Sequence, residues 1–260
     1  MRKVRAKKHL GQHFLTDLQV AERIAGSLSG HRQIKKVLEI GPGMGVLTDF
    51  LARQDWELYL IEIDEEAVDY LLSKYADPAI KVIKGDFLDR RFRTLIDEPY
   101  AIIGNFPYNI SSQIFFRVLE ERQQVTEIVG MLQKEVAERI AAKKGSKTYG
   151  ILSVLLQAYY EVSYLFDVPP EVFDPPPKVN SGVIQLKRND TYQLDCDEKL
   201  FFRLVKQAFN TRRKTLRNAL KPMGLSDAFK NEPLLDLRAE QLGVAEFVYL
   251  TRQLEISWKE

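Results

Sequence analysis

The chain has 260 residues, which fits one large domain or one domain with an appendage. Its 45% hydrophobic and 28% charged residues are ordinary for a soluble globular protein with a sizeable core. No apolar run approaches bilayer length and no apolar core follows the basic amino end, so neither a membrane anchor nor secretion is expected. Cys196 is the only cysteine, which excludes an internal disulfide and favours a reducing cytoplasmic location. The three dispersed histidines indicate no metal site, and a monomer is expected.

The formal net charge is only +2, but basic and acidic residues are unevenly distributed. Residues 2–8 carry five basic side chains and no acid, and residues 199–226 carry eight and no acid. Acids are concentrated in the middle of the chain, as in residues 62–69. This distribution indicates basic surfaces that face an anionic polymer, and a solvated helix face is the alternative for each cluster taken alone.

Apolar runs alternate with helix-like stretches through the first 190 residues, which predicts an α/β fold with a parallel sheet flanked by helices. A helix is predicted over residues 65–75, with Asp64 as its N-cap. Two late strands follow, joined by a proline-rich loop, and periodicity does not assign their direction. The predicted strands are 37–40, 58–63, 80–83, 100–103, 127–132, 161–168 and 182–187.

After residue 188 the pattern changes to short amphipathic helices. They are predicted over residues 200–209, 211–220 and 245–258. We therefore predict two domains, an α/β domain over residues 1–188 and a small helical domain over residues 189–260.

A glycine motif follows the first of these predicted strands. Gly41, Gly43 and Gly45 have the spacing G-x-G-x-G, and a helical pattern begins at Val46. Glycines permit a tight turn and a close approach of a ligand to the main chain. The spacing differs from the G-x-G-x-x-G that seats a pyrophosphate, which favours S-adenosylmethionine over a nicotinamide cofactor. A merely structural turn is the alternative.

Polar residues follow the ends of the next predicted strands. Glu62 lies 21 positions after Gly41, where this architecture binds a ribose diol, although an ordinary strand-end carboxylate is the alternative. Asp86 could accept a hydrogen bond from the adenine amine of a cofactor, and Phe87 could lie beside that ring. Asn105 ends the fourth strand. Since open parallel sheets bind ligands at the carboxyl ends of their strands, these residues predict one shared site.

The segment Asn105-Phe106-Pro107-Tyr108 is suited to hold a base that carries an amino group. The amine of adenine is a poor nucleophile because its lone pair is delocalised into the ring. Asn105 offers a side-chain carbonyl, and Phe106 offers a main-chain carbonyl directed by the stiff Pro107. Tyr108 offers an aromatic face for stacking. These are the candidate catalytic residues, and Phe173 is the candidate for the opposite face of the base.

Taken together, these motifs resemble the rRNA adenine-N6 dimethyltransferases that modify the small ribosomal subunit. The resemblance covers nearly the whole chain and includes three further segments, 10–15 (LGQHFL), 173–181 (FDPPPKVNS) and 212–218 (RRKTLRN). It implies a Rossmann-like S-adenosylmethionine-dependent methyltransferase sheet with a C-terminal helical domain that binds rRNA. The resemblance also implies cofactor contacts beyond the glycine loop and Phe87. The predicted cofactor-binding residues are His13, Leu15, Gly41, Gly43, Glu62, Asp86, Phe87 and Asn105.

The resemblance also implies the activity. We expect two methyl transfers to N6 of each of two adjacent adenosines near the 3′ end of small-subunit (16S) rRNA, during ribosome biogenesis. The partner would be the immature small ribosomal subunit. The basic amino end, residues 143–147 and residues 199–221 would contact phosphates and set the register of the RNA.

Two other functions share many of these features. A methyltransferase of the antibiotic-resistance type acts on large-subunit (23S) rRNA and has the same glycine loop and N-x-P-Y turn. The segment 212–218 and the triple-proline loop favour the small-subunit enzyme. A non-catalytic assembly factor would use the fold only to bind RNA, and the intact Asn105, Tyr108, Glu62 and Asp86 argue against it.

Overall fold

The computed structural model describes residues 4–92, 95–211 and 213–258. Arg2, Lys3 and Arg212, which belong to the predicted basic segments, lie outside the described residues. The chain divides into two compact units, one formed by Met1–Glu138 and Glu161–Arg188, the other by Arg139–Tyr160 and Asn189–Glu260.

A seven-stranded sheet forms the centre of the first unit, with strand order β4-β3-β2-β5-β6-β9-β7. Two short strands, β1 and β8, form a separate antiparallel pair. The strands are β1 (Phe14–Leu15), β2 (Lys36–Ile40), β3 (Glu57–Glu62), β4 (Ile80–Lys84), β5 (Tyr100–Asn105), β6 (Val125–Gln133), β7 (Tyr160–Val168), β8 (Phe173–Asp174) and β9 (Ser181–Arg188).

Strands β2 to β6 are all parallel to one another, and β9 runs antiparallel to β6. The central strands are mostly apolar, as expected for a parallel sheet that is covered on both faces. Ile102 and Ile103, adjacent on β5, point to opposite faces and are both fully buried. The predicted α/β architecture with a parallel sheet is confirmed, and the parallel part of the sheet has five strands. The strand order reverses at β2, which lies between β3 and β5.

Two helices of the first unit begin at aspartate caps, one of which, Asp64, is predicted from the sequence. Asp17 caps α1 by accepting from the amides of Gln19 and Val20, and Asp64 caps α3 by accepting from that of Glu66. The helix expected from Val46 begins two residues later, because the glycine loop continues in turns to Leu47. The helices are α1 (Leu18–Ala25), α2 (Thr48–Leu51), α3 (Glu65–Lys74) and α4 (Ser111–Glu120), and the division of the chain at Arg139 falls within α5 (Lys134–Ala141).

The second unit is helical. Its core contains Phe201, Leu204, Phe247 and Leu250, all fully buried. The two longest helices, α7 and α10, pack against each other, and α6 packs against both. None of the helices in the described part of the chain is long and apolar enough to span a bilayer. The helices are α6 (Ile151–Gln157), α7 (Glu198–Phe209), α8 (Leu216–Ala219), α9 (Asp227–Lys230) and α10 (Val244–Ser257).

The compact units and the predicted domains divide the chain differently at one segment. The longer segment of the second unit begins at Asn189, and this unit also includes Arg139–Tyr160, which the predicted boundaries place in residues 1–188. The reason is that α6 is apolar and buries its leucines against α7 and α10. The helix predicted over 211–220 is limited to α8, since Thr215 is extended (φ −65°, ψ 158°).

Candidate cofactor and base site

A cavity lies at the carboxyl ends of β2, β3 and β5, at the point where the strand order reverses. Open parallel sheets bind ligands at this position. Five segments line the cavity: residues 9–15, residues in the 39–47 loop, 61–63, 85–88 and 105–110. The structure therefore brings together the following predicted site residues: His13, Leu15, Gly41, Gly43, Glu62, Asp86, Phe87, Asn105, Phe106, Pro107 and Tyr108.

The glycine loop requires its glycines for conformation and for space. Gly41, Gly43 and Gly45 all have positive φ (65°, 56° and 78°), a region that side chains with a Cβ rarely adopt. A Cβ on Gly43 would lie 2.9 Å from the ring of Phe14. A Cβ on Gly41 would meet no atom within 4 Å, so the main chain there is open to a ligand.

Glu62 is 4% exposed at the end of β3. Its carboxylate accepts three main-chain hydrogen bonds, from Gly43 (3.0 Å), Ile63 (2.8 Å) and Asp64 (2.9 Å). Burial raises the pKa of the Glu62 carboxyl, and these hydrogen bonds oppose that effect. A carboxylate offers about four acceptor positions, so one remains for a ribose hydroxyl.

Glu39 is a second buried acid beside the cavity, to which the sequence analysis assigned no role. It is 1% exposed, and Thr48 Oγ1 donates to its carboxylate at 2.6 Å. Burial raises the pKa of Glu39 to about 8. The signal that could have identified it is an acid within a run of buried apolar strand residues, directly before the glycine motif.

Arg117 binds the loop that follows β4. It is a buried residue on α4 that the sequence analysis did not identify. Its guanidinium carbon lies 4.6 Å from the centre of the Phe87 ring, and its Nη1 donates to the carbonyls of Phe87 and Asp89 (2.7 Å for Asp89). Asp86 itself is exposed and accepts from the amide of Leu88 at 2.9 Å. The rigid Phe87 and the exposed Asp86 thus present an apolar wall and an acceptor beside the cavity.

The Asn105 side chain has one orientation that its contacts define. Its Nδ2 donates to the main-chain carbonyl of His13 at 2.8 Å, which leaves the Oδ1 oxygen as an acceptor for another group. His13 Nδ1 is in turn hydrogen-bonded to the carbonyl of Pro175 at 2.8 Å. The Tyr108 ring stacks beside that of His13, with centroids 5.6 Å apart, and its hydroxyl shares a 2.6 Å hydrogen bond with Ser181.

Phe106 contributes main chain to the site and side chain to the core. It is fully buried, and its amide donates to the carbonyl of Met131 at 2.9 Å. Its ring fits against Gly104 and Gly130, where an added Cβ would lie 3.0 and 2.5 Å from ring carbons. The ring packing and the amide hydrogen bond thus hold the Phe106 main chain in place beside the cavity.

Phe173 does not line the cavity, so its predicted position against the base requires correction. Its side chain is 4% exposed and packs in the hydrophobic core. The cause is the alternation of side chains along β8, where Phe173 pairs with Leu15 and points inward while Asp174 is exposed.

The basic residues of the second unit differ in their contacts. Arg213 and Lys214 are exposed on the turn before α8. Arg217, in contrast, binds Asp236 through Nε (2.8 Å) and Nη2 (2.7 Å), which indicates a structural role. In the 143–147 segment, Lys144 is paired with Glu246 at 2.5 Å.

These features define a class of protein. A parallel sheet with a G-x-G-x-G turn, a strand-end acid and an acceptor after the next strand is typical of S-adenosylmethionine-dependent methyltransferases. The cavity fits that cofactor, because the Glu62 carboxylate has an acceptor position left for a diol and the main chain at Gly41 leaves room for a ligand.

Comparison with known proteins identifies the family. A model of ribosomal RNA adenine dimethylase matches residues 3–252. A protein from Cytophaga hutchinsonii named ribosomal RNA small subunit methyltransferase A is 56% identical over 98% of this chain and 99% of its own length. One of the same name from Flavobacterium johnsoniae is also 56% identical, over 98% of each chain. The chain belongs to the ribosomal RNA adenine dimethylase family, which confirms the prediction from the motifs.

Two solved structures share the architecture over nearly the whole chain. A dimethyladenosine transferase from Plasmodium falciparum has a TM-score of 0.79 at 23% identity, covering 95% of this chain and 98% of its own. The 23S rRNA methyltransferase ErmE has a TM-score of 0.66 at 26% identity, covering 93% and 99%. The Rossmann-like fold predicted from the sequence is therefore confirmed.

Proposed function

We propose that this protein dimethylates N6 of two adjacent adenosines near the 3′ end of small-subunit rRNA, with S-adenosylmethionine as the methyl donor. The relatives at 56% identity carry the small-subunit name, whereas the 23S methyltransferase is only 26% identical. The large-subunit reaction is the alternative that the experiment below tests.

The observation that carries this proposal is the Asn105 amide. Because Nδ2 is committed to the His13 carbonyl, Oδ1 is held as an acceptor for an amine N–H. The Phe106 carbonyl, fixed by the buried ring, is the second acceptor. Two acceptors on one NH₂ group orient the nitrogen and favour its lone pair for attack, which is the positioning that this reaction needs.

Tyr108 is the stacking residue for the base. Burial raises the pKa of its phenol, so the ring stays neutral, and the bond to Ser181 fixes the ring plane. A base–aromatic contact of this kind contributes roughly 1–3 kcal/mol. The target must be unpaired or flipped out of its helix to reach the ring.

The remaining residues would hold the methyl donor. Glu62 would accept from a ribose hydroxyl, Asp86 from the adenine amine, and the main chain at Gly41 would lie against the ligand. When bound, S-adenosylmethionine supplies an electrophilic methyl carbon on a sulfonium. No side-chain base is required, since the methylated amine becomes acidic and releases its proton to water.

Transfer of labelled methyl groups tests the proposal. Small subunits that lack the modification and naked large-subunit rRNA are each incubated with the enzyme and labelled S-adenosylmethionine, and the labelled nucleoside is identified by mass. Dimethyladenosine in the small subunit alone supports the proposal. Label confined to the large-subunit RNA would instead establish the alternative reaction, and RNA binding without label would indicate an assembly factor.

A further inference from the structure

One wall of the cavity is formed by a single stretch near the amino end. Seven consecutive residues, 9–15, line it, more than any other continuous segment contributes. They belong to a strap, residues 7–16, that is attached at both of its ends and also, through His13, to Asn105 and Pro175. The two attachments differ in chemistry, and this difference indicates which of them opens.

The carboxyl end of the strap is attached through main chain. Phe14 and Leu15 pair with β8, and the amide and hydroxyl of Thr16 both donate to the carbonyl of Val172 at 2.8 Å. Leu15 is buried in the core. This end continues directly into α1 and is anchored by the fold itself.

The amino end of the strap is attached through side chains, chiefly to the carboxylate of Asp64, and Lys7 Nζ also lies 3.4 Å from Glu66 Oε1. Lys7 Nζ donates to Asp64 Oδ1 at 2.5 Å, and Gln12 Nε2 donates to Oδ2 at 3.1 Å. Gln12 Oε1 accepts from the Lys7 amide at 2.7 Å, which closes the strap on itself around Gly11, at a φ of 65°. Lys7 and Gln12 are therefore bound to each other as well as to Asp64.

The Asp64 carboxylate is suited to hold a charged partner. Its side chain is fully buried, whereas that of Lys7 is 29% exposed. Burial alone would raise the pKa of Asp64, but the hydrogen bonds from Lys7 and Gln12 outweigh it and lower the pKa. The carboxylate thus stays ionised with its partners in place, and losing them leaves a buried charge held only by the cap contact with the Glu66 amide among the bonds described.

We propose that Asp64 is a positioning residue that latches the strap over the cofactor cavity, and that release of Lys7 and Gln12 from it opens the cavity for cofactor exchange. The inference rests on the proposed function for the identity of the cofactor. Dimethylation of one adenine consumes two methyl donors, so spent cofactor must leave and fresh cofactor must enter between transfers. A latch of two side chains allows this while the main-chain attachment of β1 stays intact.

Three variants of the full chain test the latch. Lys7→Met removes the ion pair, and Gln12→Glu places a second carboxylate against Asp64. Lys8→Met is the matched control, since this neighbour carries the same charge and is exposed. Lys7→Arg restores the cation. Asp64 itself is left unchanged because it also caps α3.

Two measurements are made on each variant. The dissociation rate of S-adenosylmethionine is measured by displacement with excess S-adenosylhomocysteine, and amide hydrogen exchange of residues 8–16 is followed without cofactor. We expect Lys7→Met and Gln12→Glu to release cofactor on the order of tenfold faster and to exchange faster in the strap. Lys8→Met should behave like the wild type. Lys7→Arg keeps a cation beside Asp64, so its cofactor release and strap exchange should stay close to those of the wild type.

The outcomes separate the latch from the function on which it rests. Equal dissociation rates and equal strap exchange in Lys7→Met and Lys8→Met would overturn the latch while leaving the proposed reaction intact. Wild-type protein that binds no S-adenosylmethionine would overturn both. Faster exchange spread over the whole first unit would show a general loss of stability and so also overturn the latch.

Discussion

Asn105 Nδ2 donates a hydrogen bond of 2.8 Å to the main-chain carbonyl of His13, a residue 92 positions earlier in the chain. The Nδ2 half of this amide therefore binds the wall of the cavity, and under the proposed function the Oδ1 half would accept from the amine of the base. The contact ties the two halves of the candidate site together, and it explains why an amide is better suited than a carboxylate at this position.

Changing Asn105 to aspartate tests this double role. The carboxylate has no N–H to donate, and it would place a negative charge against the His13 carbonyl oxygen. We expect kcat/KM for methyl transfer to fall about 100-fold, the size of effect that a small misplacement of reacting groups produces. Cofactor affinity should also fall, since the His13 segment is displaced. Calorimetric titration with S-adenosylmethionine beside the methylation assay measures both, and a fully active variant would refute the assignment.

The Tyr108 ring and its hydroxyl can be separated by two substitutions. Tyr108→Phe keeps the stacking surface and loses only the bond to Ser181, so a modest decrease in rate is expected. Tyr108→Ala removes the ring and should lower kcat/KM for RNA by roughly 10- to 100-fold, the range for loss of one base stack. Cofactor affinity should change little in either variant. Equal loss of cofactor binding and catalysis in Tyr108→Ala would argue against a stacking role.

The parts of the fold that the sequence predicts correctly are those determined by local pattern. The buried parallel strands, the caps at Asp64 and the glycine loop follow from periodicity and backbone sterics. Phe173 could not be placed in this way, because a two-residue strand carries no period and its partner Leu15 lies 158 positions away. The return of residues 139–160 to the second unit is likewise a tertiary effect, since α6 is apolar enough to suit either core.

Glu39 predicts a pH dependence of stability. Its pKa is about 8 in the folded protein and 4.5 ordinarily, so between these values the folded state retains a proton that the unfolded chain releases. The contribution of Glu39 to the free energy of unfolding therefore decreases as the pH rises from about 4.5 to 8, and it is constant above that range.

Glu39→Gln isolates this contribution. The amide oxygen still accepts from Thr48, and no charge is buried. We expect the variant to match the wild type near pH 5 and to exceed its unfolding free energy at pH 8.5 by several kcal/mol, with about 5 kcal/mol as the upper limit. Urea unfolding at both pH values is the measurement. A parallel pH dependence in the two proteins would mean that Glu39 is ionised when folded. Glu62, Asp49 and Lys74, which act on Glu39 electrostatically, are unchanged in the comparison.

Two glycine substitutions, one in the glycine loop and one outside it, separate the cost of backbone strain from the cost of a steric clash. Gly30→Ala and Gly43→Ala both place a Cβ at positive φ (65° and 56°), which costs about 1–2 kcal/mol. At Gly30 the Cβ meets nothing within 4 Å, whereas at Gly43 it lies 2.9 Å from Phe14. We expect Gly43→Ala to be the less stable in urea and to bind S-adenosylmethionine more weakly, because the loop must shift. Gly30→Ala should bind cofactor normally, and equal behaviour would exclude the clash with Phe14 as a determinant.

We expect substitutions in the second unit to weaken RNA binding without changing cofactor affinity. Arg213 and Lys214 are exposed, so changing both to glutamate should leave the fold intact while removing two cations from the face assigned to phosphate contact. RNA affinity should fall, and the slope of log affinity against log salt should decrease by about 2, because fewer counterions are released. Arg217→Glu is the contrasting variant, since it breaks the pair with Asp236 and should lower the melting temperature. Filter binding of small-subunit RNA over a range of salt, with cofactor titration alongside, measures these effects. An unchanged salt slope in the double variant would place the RNA contacts on another surface.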